Sequence, residues 1–186
     1  MIEVGKKKEQ KCIDYTEYNE GIYVGYRYFQ TAGAPVSYPF GYGKSYTTFE
    51  YSKPIVKATD KGFTATITVK NTGAVAGKES VQLYVAAPAG GLEKPAFELK
   101  GFAKTKELAP GESQTLTIEV CKYTLASFNE ANSAWETAAG TYKVMFGANA
   151  ADIRGTAVYK LKKAESWKVN NVLAPAQLIN ELTLQK

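Results

Sequence analysis

Histidine is missing from the chain's 186 residues. With it go Ser-His and Cys-His nucleophile pairs and imidazole-held metal centres. Cysteine is scarce: Cys12 and Cys121 stand far apart without the spacing of a ligand set, and sequence alone does not pair them. No cofactor and no metal are expected. Long apolar runs are also lacking, so no segment suits a bilayer crossing, and Met1 leads into charged residues rather than the apolar core of an export signal. One-signed charge is weak. The net charge is +5, with lysines scattered apart from "KKKEQK" at Lys6 to Lys11, which reads as a solvated tail rather than a nucleic-acid grip. No membrane and no nucleic-acid partner are expected. Asp14, Glu17 and Glu20 form the densest acidic group, but they lack a calcium-loop pattern. Nothing near them marks the sugar-sized cleft that a hydrolytic pair of carboxyls needs. They read as part of a solvated lead-in, and no catalytic or metal-binding residue is assigned.

What the chain does have is period-two alternation. Phe63, Ala65, Ile67 and Val69 interleave with threonines and Lys70; Val81, Leu83 and Val85 interleave with Gln82 and Tyr84. Leu116, Ile118 and Val120 repeat the pattern, as do Tyr142, Val144 and Phe146 against Lys143 and Met145. Each run is expected to turn one face inward, and "DKG", "NTGAVAG", "APGE" and "AAGT" supply turns between runs. Further strands are expected over Phe49 to Thr59, around Leu99 to Thr105 and from Ile153 to Leu161. The sum is an all-β, immunoglobulin- or fibronectin-III-like antiparallel sandwich of about seven strands over residues 49–161.

Two connections exceed a hairpin's needs: Pro88 to Glu98, and Lys122 to Gly140 with Phe128 and Trp135. Trp135 reads as a packing residue, with a ligand platform as the alternative. Before the sandwich, residues 1–48 form a lead-in in which "NEGIYVGYRYFQT" (Asn19 to Thr31) suits either a strand or an irregular helix. "SYPFGYGKSYTTF" (Ser37 to Phe49) then packs five aromatics around Gly41 and Gly43. After the sandwich, residues 162–186, with Trp167, Val169, Val172 and Leu173, read as an extended strap. Both ends carry more apolar side chains than free tails hold, so both are expected to pack on something.

"EGIYVGYRYF", "YPFGYGKSYTTFEYS", "VKNTGAVAGKESVQLYV", "ELKGFAKTKELAPGES", "AGTYKVMFGANAADIR" and "VLAPAQLINEL" follow one another in an order that resembles the C-terminal end of glycoside hydrolase family 3, which includes β-glucosidases. The resemblance implies a parent in which a TIM-like barrel carries the nucleophile, an α/β domain the acid/base, and a fibronectin-III-like domain follows. This chain has no counterpart of the "SDW"-type nucleophile motif or the acid/base loop. The implied role is a non-catalytic module that buttresses the catalytic domains of the same enzyme, with Pro88 to Glu98 lent to their rim. The parent would act on β-glucosides or related glycosides and be periplasmic or secreted. By the same resemblance Tyr23, Tyr26, Arg27, Tyr38, Phe40, Tyr42 and Tyr46 form an interdomain joint, where Lys44 replaces the family's usual leucine. The alternative is a carbohydrate-binding module using Tyr42, Trp135 and Trp167 as sugar contacts. An isolated lead-in would expose apolar surface, so a homodimer through residues 20–48 is a further expectation.

Overall fold

The computed structural model describes residues 18–175 and 177–184. Lys6 to Lys11, Cys12, Asp14 and Glu17 lie outside them. The described elements are an α-helix, α1 (Tyr26–Ala32), a single 3-10 turn (Tyr123–Leu125) and eleven strands: β1 (Phe49–Tyr51), β2 (Ile55–Thr59), β3 (Gly62–Asn71), β4 (Ser80–Ala86), β5 (Glu98–Lys104), β6 (Ser113–Cys121), β7 (Ser127–Asn129), β8 (Ala134–Glu136), β9 (Gly140–Asn149), β10 (Asp152–Leu161) and β11 (Ser166–Lys168). One sheet has β3 at its centre, paired with β6 along one edge and with β1 and β2 in tandem along the other. The second runs β10-β9-β4-β5.

The expected strand Phe49 to Thr59 divides in two. Pro54 lacks the N–H a continuous ladder needs, so pairing stops at Tyr51 and resumes at Ile55. The core between the sheets is otherwise the one the alternation marks. Phe63, Ala65, Ile67 and Val69 meet Leu116, Ile118 and Val120 from their own sheet and Val81, Leu83, Val85, Tyr142, Val144 and Phe146 from the other.

Two departures bear on function. Tyr84 and Met145, in the outward phase of β4 and β9, are 0% and 6% exposed because the lead-in covers that face of the sheet. The connection from Lys122 to Gly140 is no plain loop either. It folds into β7 and β8, and the strap adds β11, giving a small three-stranded sheet. Phe128, Trp135 and Trp167 stand in register across it, with Tyr123 against both tryptophans at 5.9 and 5.4 Å.

Candidate functional site: the aromatic lead-in and its cleft

The lead-in's ambiguous stretch resolves as α1. Gly33, in the left-handed region at φ 63°, ends it by donating its N–H to the Phe29 carbonyl. At seven residues the helix is too short to hold itself in water, so its packing decides it. Tyr26 stacks on Phe40 at 4.7 Å and meets Tyr84 edge-on at 6.0 Å. Phe97 adds a fourth ring, 5.1 Å from Tyr84. The Tyr26 hydroxyl accepts the Leu99 N–H at 2.7 Å, and Thr31 Oγ1 accepts the Ala96 N–H at 2.9 Å. Arg27 pairs with Glu98 at 3.3 Å, and the Ala150 N–H donates to the Phe40 carbonyl.

Tyr23, 2% exposed, donates to Glu93 at 2.5 Å. Burial, and then the Glu93 carboxylate, push its phenol up to about 12. The strap closes over the same place, where Leu182 N–H meets the Asn19 carbonyl and Leu184 N–H reaches Glu93.

The seven residues expected at a joint therefore divide between two faces. Tyr23, Tyr26 and Arg27 are turned to the sandwich, and Phe40 bridges. Tyr38, Tyr42 and Tyr46 are 72%, 45% and 98% exposed, alongside exposed Ile22, Val24, Phe29 and Val36. Tyr38 and Tyr42 pack together at 5.2 Å. Gly41, at φ 82°, lets this turn pass so close to β4 that a β-carbon there would run into the Gln82 amide. Residue 42 onward then forms one wall of an open cleft of about 800 Å³, whose other walls are Lys78 to Ser80, Lys104, Asn149, Asp152 and Arg154.

The cleft contains two carboxyls, Glu79 and Asp152, neither of which the sequence reading singled out. Glu79 accepts the Tyr51 hydroxyl at 2.8 Å and Arg154 at 3.5 Å; Asp152 holds Arg154 at 2.7 Å. Burial raises the Glu79 carboxyl, against the pull of the Tyr51 hydrogen bond and the Arg154 charge. Burial and the Glu79 charge raise Tyr51 in turn. Arg154 also donates to the Phe49 carbonyl at 3.1 Å and lies 5.0 Å over the Tyr51 ring. Both carboxyls thus meet the same guanidinium, Glu79 mostly covered and Asp152 open to solvent.

Of the three expected sugar contacts, Trp135 and Trp167 come together on the small sheet, partly buried, while Tyr42 belongs to the cleft. Phe97, Tyr84, Thr31 and Glu93, which seat the lead-in, were missed. The one signal for them was an aromatic residue in the polar phase of β4.

The fibronectin type III-like domain family matches residues 79–150. Beta-glucosidase A of Butyrivibrio fibrisolvens is 42% identical over 189 residues, covering 89% of this chain and 23% of its own length. The probable beta-glucosidase H of Neosartorya fischeri is 38% identical over 156 residues, covering 81% and 19%. The structure of beta-glucosidase 3B from Thermotoga neapolitana, solved in complex with alpha-D-glucose, superposes with a TM-score of 0.79 at 43% identity, over 82% of this chain and 21% of that one. This chain carries the fibronectin type III-like domain of family 3 glycoside hydrolases. It spans about a fifth of the length of these curated relatives. The family domain runs from Glu79 to Ala150 and so holds β4 to β9, whereas the relatives' similarity covers four fifths of the chain or more. Likeness to the glycosidases therefore extends beyond that domain.

Proposed function

We propose that the chain is a non-catalytic structural module of a family 3 glycosidase whose parent hydrolyses β-glucosides or related glycosides. The module buttresses the catalytic domains, with the loop Pro88 to Glu98 reaching toward their rim. The observation that supports this is the two-faced lead-in. Its inner face is bonded and stacked onto β4, β5 and β9, while its outer face presents Ile22, Val24, Phe29, Val36 and Tyr38 to solvent. Phe29, Val36 and Tyr38 border one shallow hollow, and exposed apolar surface of this kind marks a partner.

The test has two arms. In the longer polypeptide, Phe29→Asp with Tyr38→Asp lowers the melting temperature and the glycosidase activity, while the same changes leave the melting of the isolated chain unaltered. Equal melting and activity of the longer polypeptide would overturn the buttress. The isolated chain releases no glucose from cellobiose or laminaribiose; turnover abolished by Glu20→Gln or Glu79→Gln would overturn the non-catalytic assignment. A second reading, carbohydrate binding, draws on exposed Tyr42 and Tyr46 at the cleft.

A further inference from the structure

The cleft lies on the far side of the turn at Gly41 from the apolar face assigned to the joint, and its chemistry is different. Three lysines reach it from three separate segments: Lys44 from the lead-in, Lys78 from the connection into β4, and Lys104 from the end of β5. All three are exposed. The carboxyls beside them, Glu79 and Asp152, are committed to Arg154, and Glu79 also to Tyr51. The three lysines and Arg154 outnumber the two carboxyls of the lining, so the cleft is net positive.

The wall is also rigid where it matters. Thr47, 9% exposed, donates to the buried Asn71 at 2.7 Å, which fixes the segment that carries Lys44 and Tyr46.

We propose that this cleft binds acidic oligosaccharides: Lys44, Lys78 and Lys104 take ring carboxylates or sulfates, and Tyr42 and Tyr46 offer ring faces to the sugar. Its volume of about 800 Å³ falls within the common range for small-ligand sites. A lone inorganic anion would need donors converging on one point, whereas these cations surround a space several sugar atoms wide. Hydroxyls of Ser45 and Ser80 and the amide of Asn149 line the same space and suit sugar hydroxyls.

The test is affinity electrophoresis of the whole chain through gels containing polygalacturonate, with laminarin and polyphosphate gels in parallel. Polygalacturonate retards the chain and laminarin does not, and K44Q/K78Q/K104Q weakens the apparent affinity by about tenfold or more, a loss the size expected for a few charge contacts. Y46A weakens it by roughly threefold, as loss of one stacked ring does. K160Q/K162Q/K163Q removes the same charge from exposed positions at the opposite end of β10 and beyond, and leaves retardation unchanged. Equal loss from both triple variants reduces the effect to net charge and overturns the proposal. Absence of retardation overturns it, as does equal retardation by laminarin, or by polyphosphate with Y46A silent. Should the cleft triple variant melt early, K78Q and K104Q singly carry the same comparison.

Discussion

Asn71 is the residue whose loss reports best on how the lead-in is attached. It is fully buried at the end of β3, and its side chain makes four hydrogen bonds. Oδ1 accepts from the Thr47 hydroxyl at 2.7 Å and the Gly73 N–H at 3.0 Å; Nδ2 donates to the Val75 and Leu108 carbonyls, both at 2.8 Å. Asn71→Ala removes all four bonds and leaves their partners inside the protein, at a net cost of about 1 kcal/mol each where water enters and more where it does not. The sum is about 3–5 kcal/mol, or roughly 8–15 °C in Tm for a domain of this size. Urea unfolding followed by far-UV circular dichroism measures it, and a change below about 1 kcal/mol would refute the account. Asn71→Asp sharpens the test. It keeps the acceptor but aims a carboxylate at two carbonyls, so its folded pKa lies above the unfolded one. The deficit against the parent chain therefore shrinks as pH falls through that raised value and is greatest at neutral pH. A deficit that grows in acid would mean the two carbonyls do not face this side chain. A double-mutant cycle with Thr47→Val should return a coupling of about 1 kcal/mol, which places the lead-in and the sandwich in one cooperative unit.

Three other expectations follow from the packing of the lead-in. Tyr26→Phe keeps the aromatic cluster with Phe40, Tyr84 and Phe97 but strands the Leu99 N–H, costing about 1–2 kcal/mol, whereas Tyr26→Ala also empties the stack and costs about 2–4 kcal/mol; calorimetry that ranks them in reverse would deny the ring its role. The Tyr23 phenol is raised from 10 to about 12. The unfolded chain therefore loses that proton first, and stability falls as pH climbs from 10 to 12; Tyr23→Phe should flatten this part of the curve, and an unchanged slope excludes Tyr23 as its source. Finally, the isolated chain is expected to self-associate at high concentration through the outer face of residues 20–48. Phe29→Asp with Tyr38→Asp should restore a monomer in sedimentation velocity, and a wild-type monomer throughout would show that the face needs a different partner.

The sandwich core was legible in the sequence because burial there obeys a local rule. Phe63 to Val69 and Leu116 to Val120 each alternate along their own strand, and residues two apart necessarily share a face. Pro54 was legible too, though its consequence, a strand cut in two, was not drawn from it. The lead-in resisted for a physical reason. α1 has too few residues for a helical period to register, and it is held by Tyr84, Phe97 and Leu99, between 58 and 73 positions further along the chain. Tyr84 and Met145 sat in the outward phase of their strands and read as solvent-facing; their burial depends on a segment whose own structure depends on them. The cleft was harder still. Lys44, Lys78, Lys104 and Arg154 come from four segments that alternation cannot relate, and only the antiparallel return of β10 along β9 brings Arg154 to Glu79 and Tyr51. Motif order recognised the family without locating the residues that seat the lead-in, because it names the lead-in's conspicuous aromatics and leaves their partners unnamed. Tyr38, Tyr42 and Tyr46 are conspicuous in sequence and exposed in the fold, whereas the residues that hold the lead-in to the sandwich are the ones that were silent.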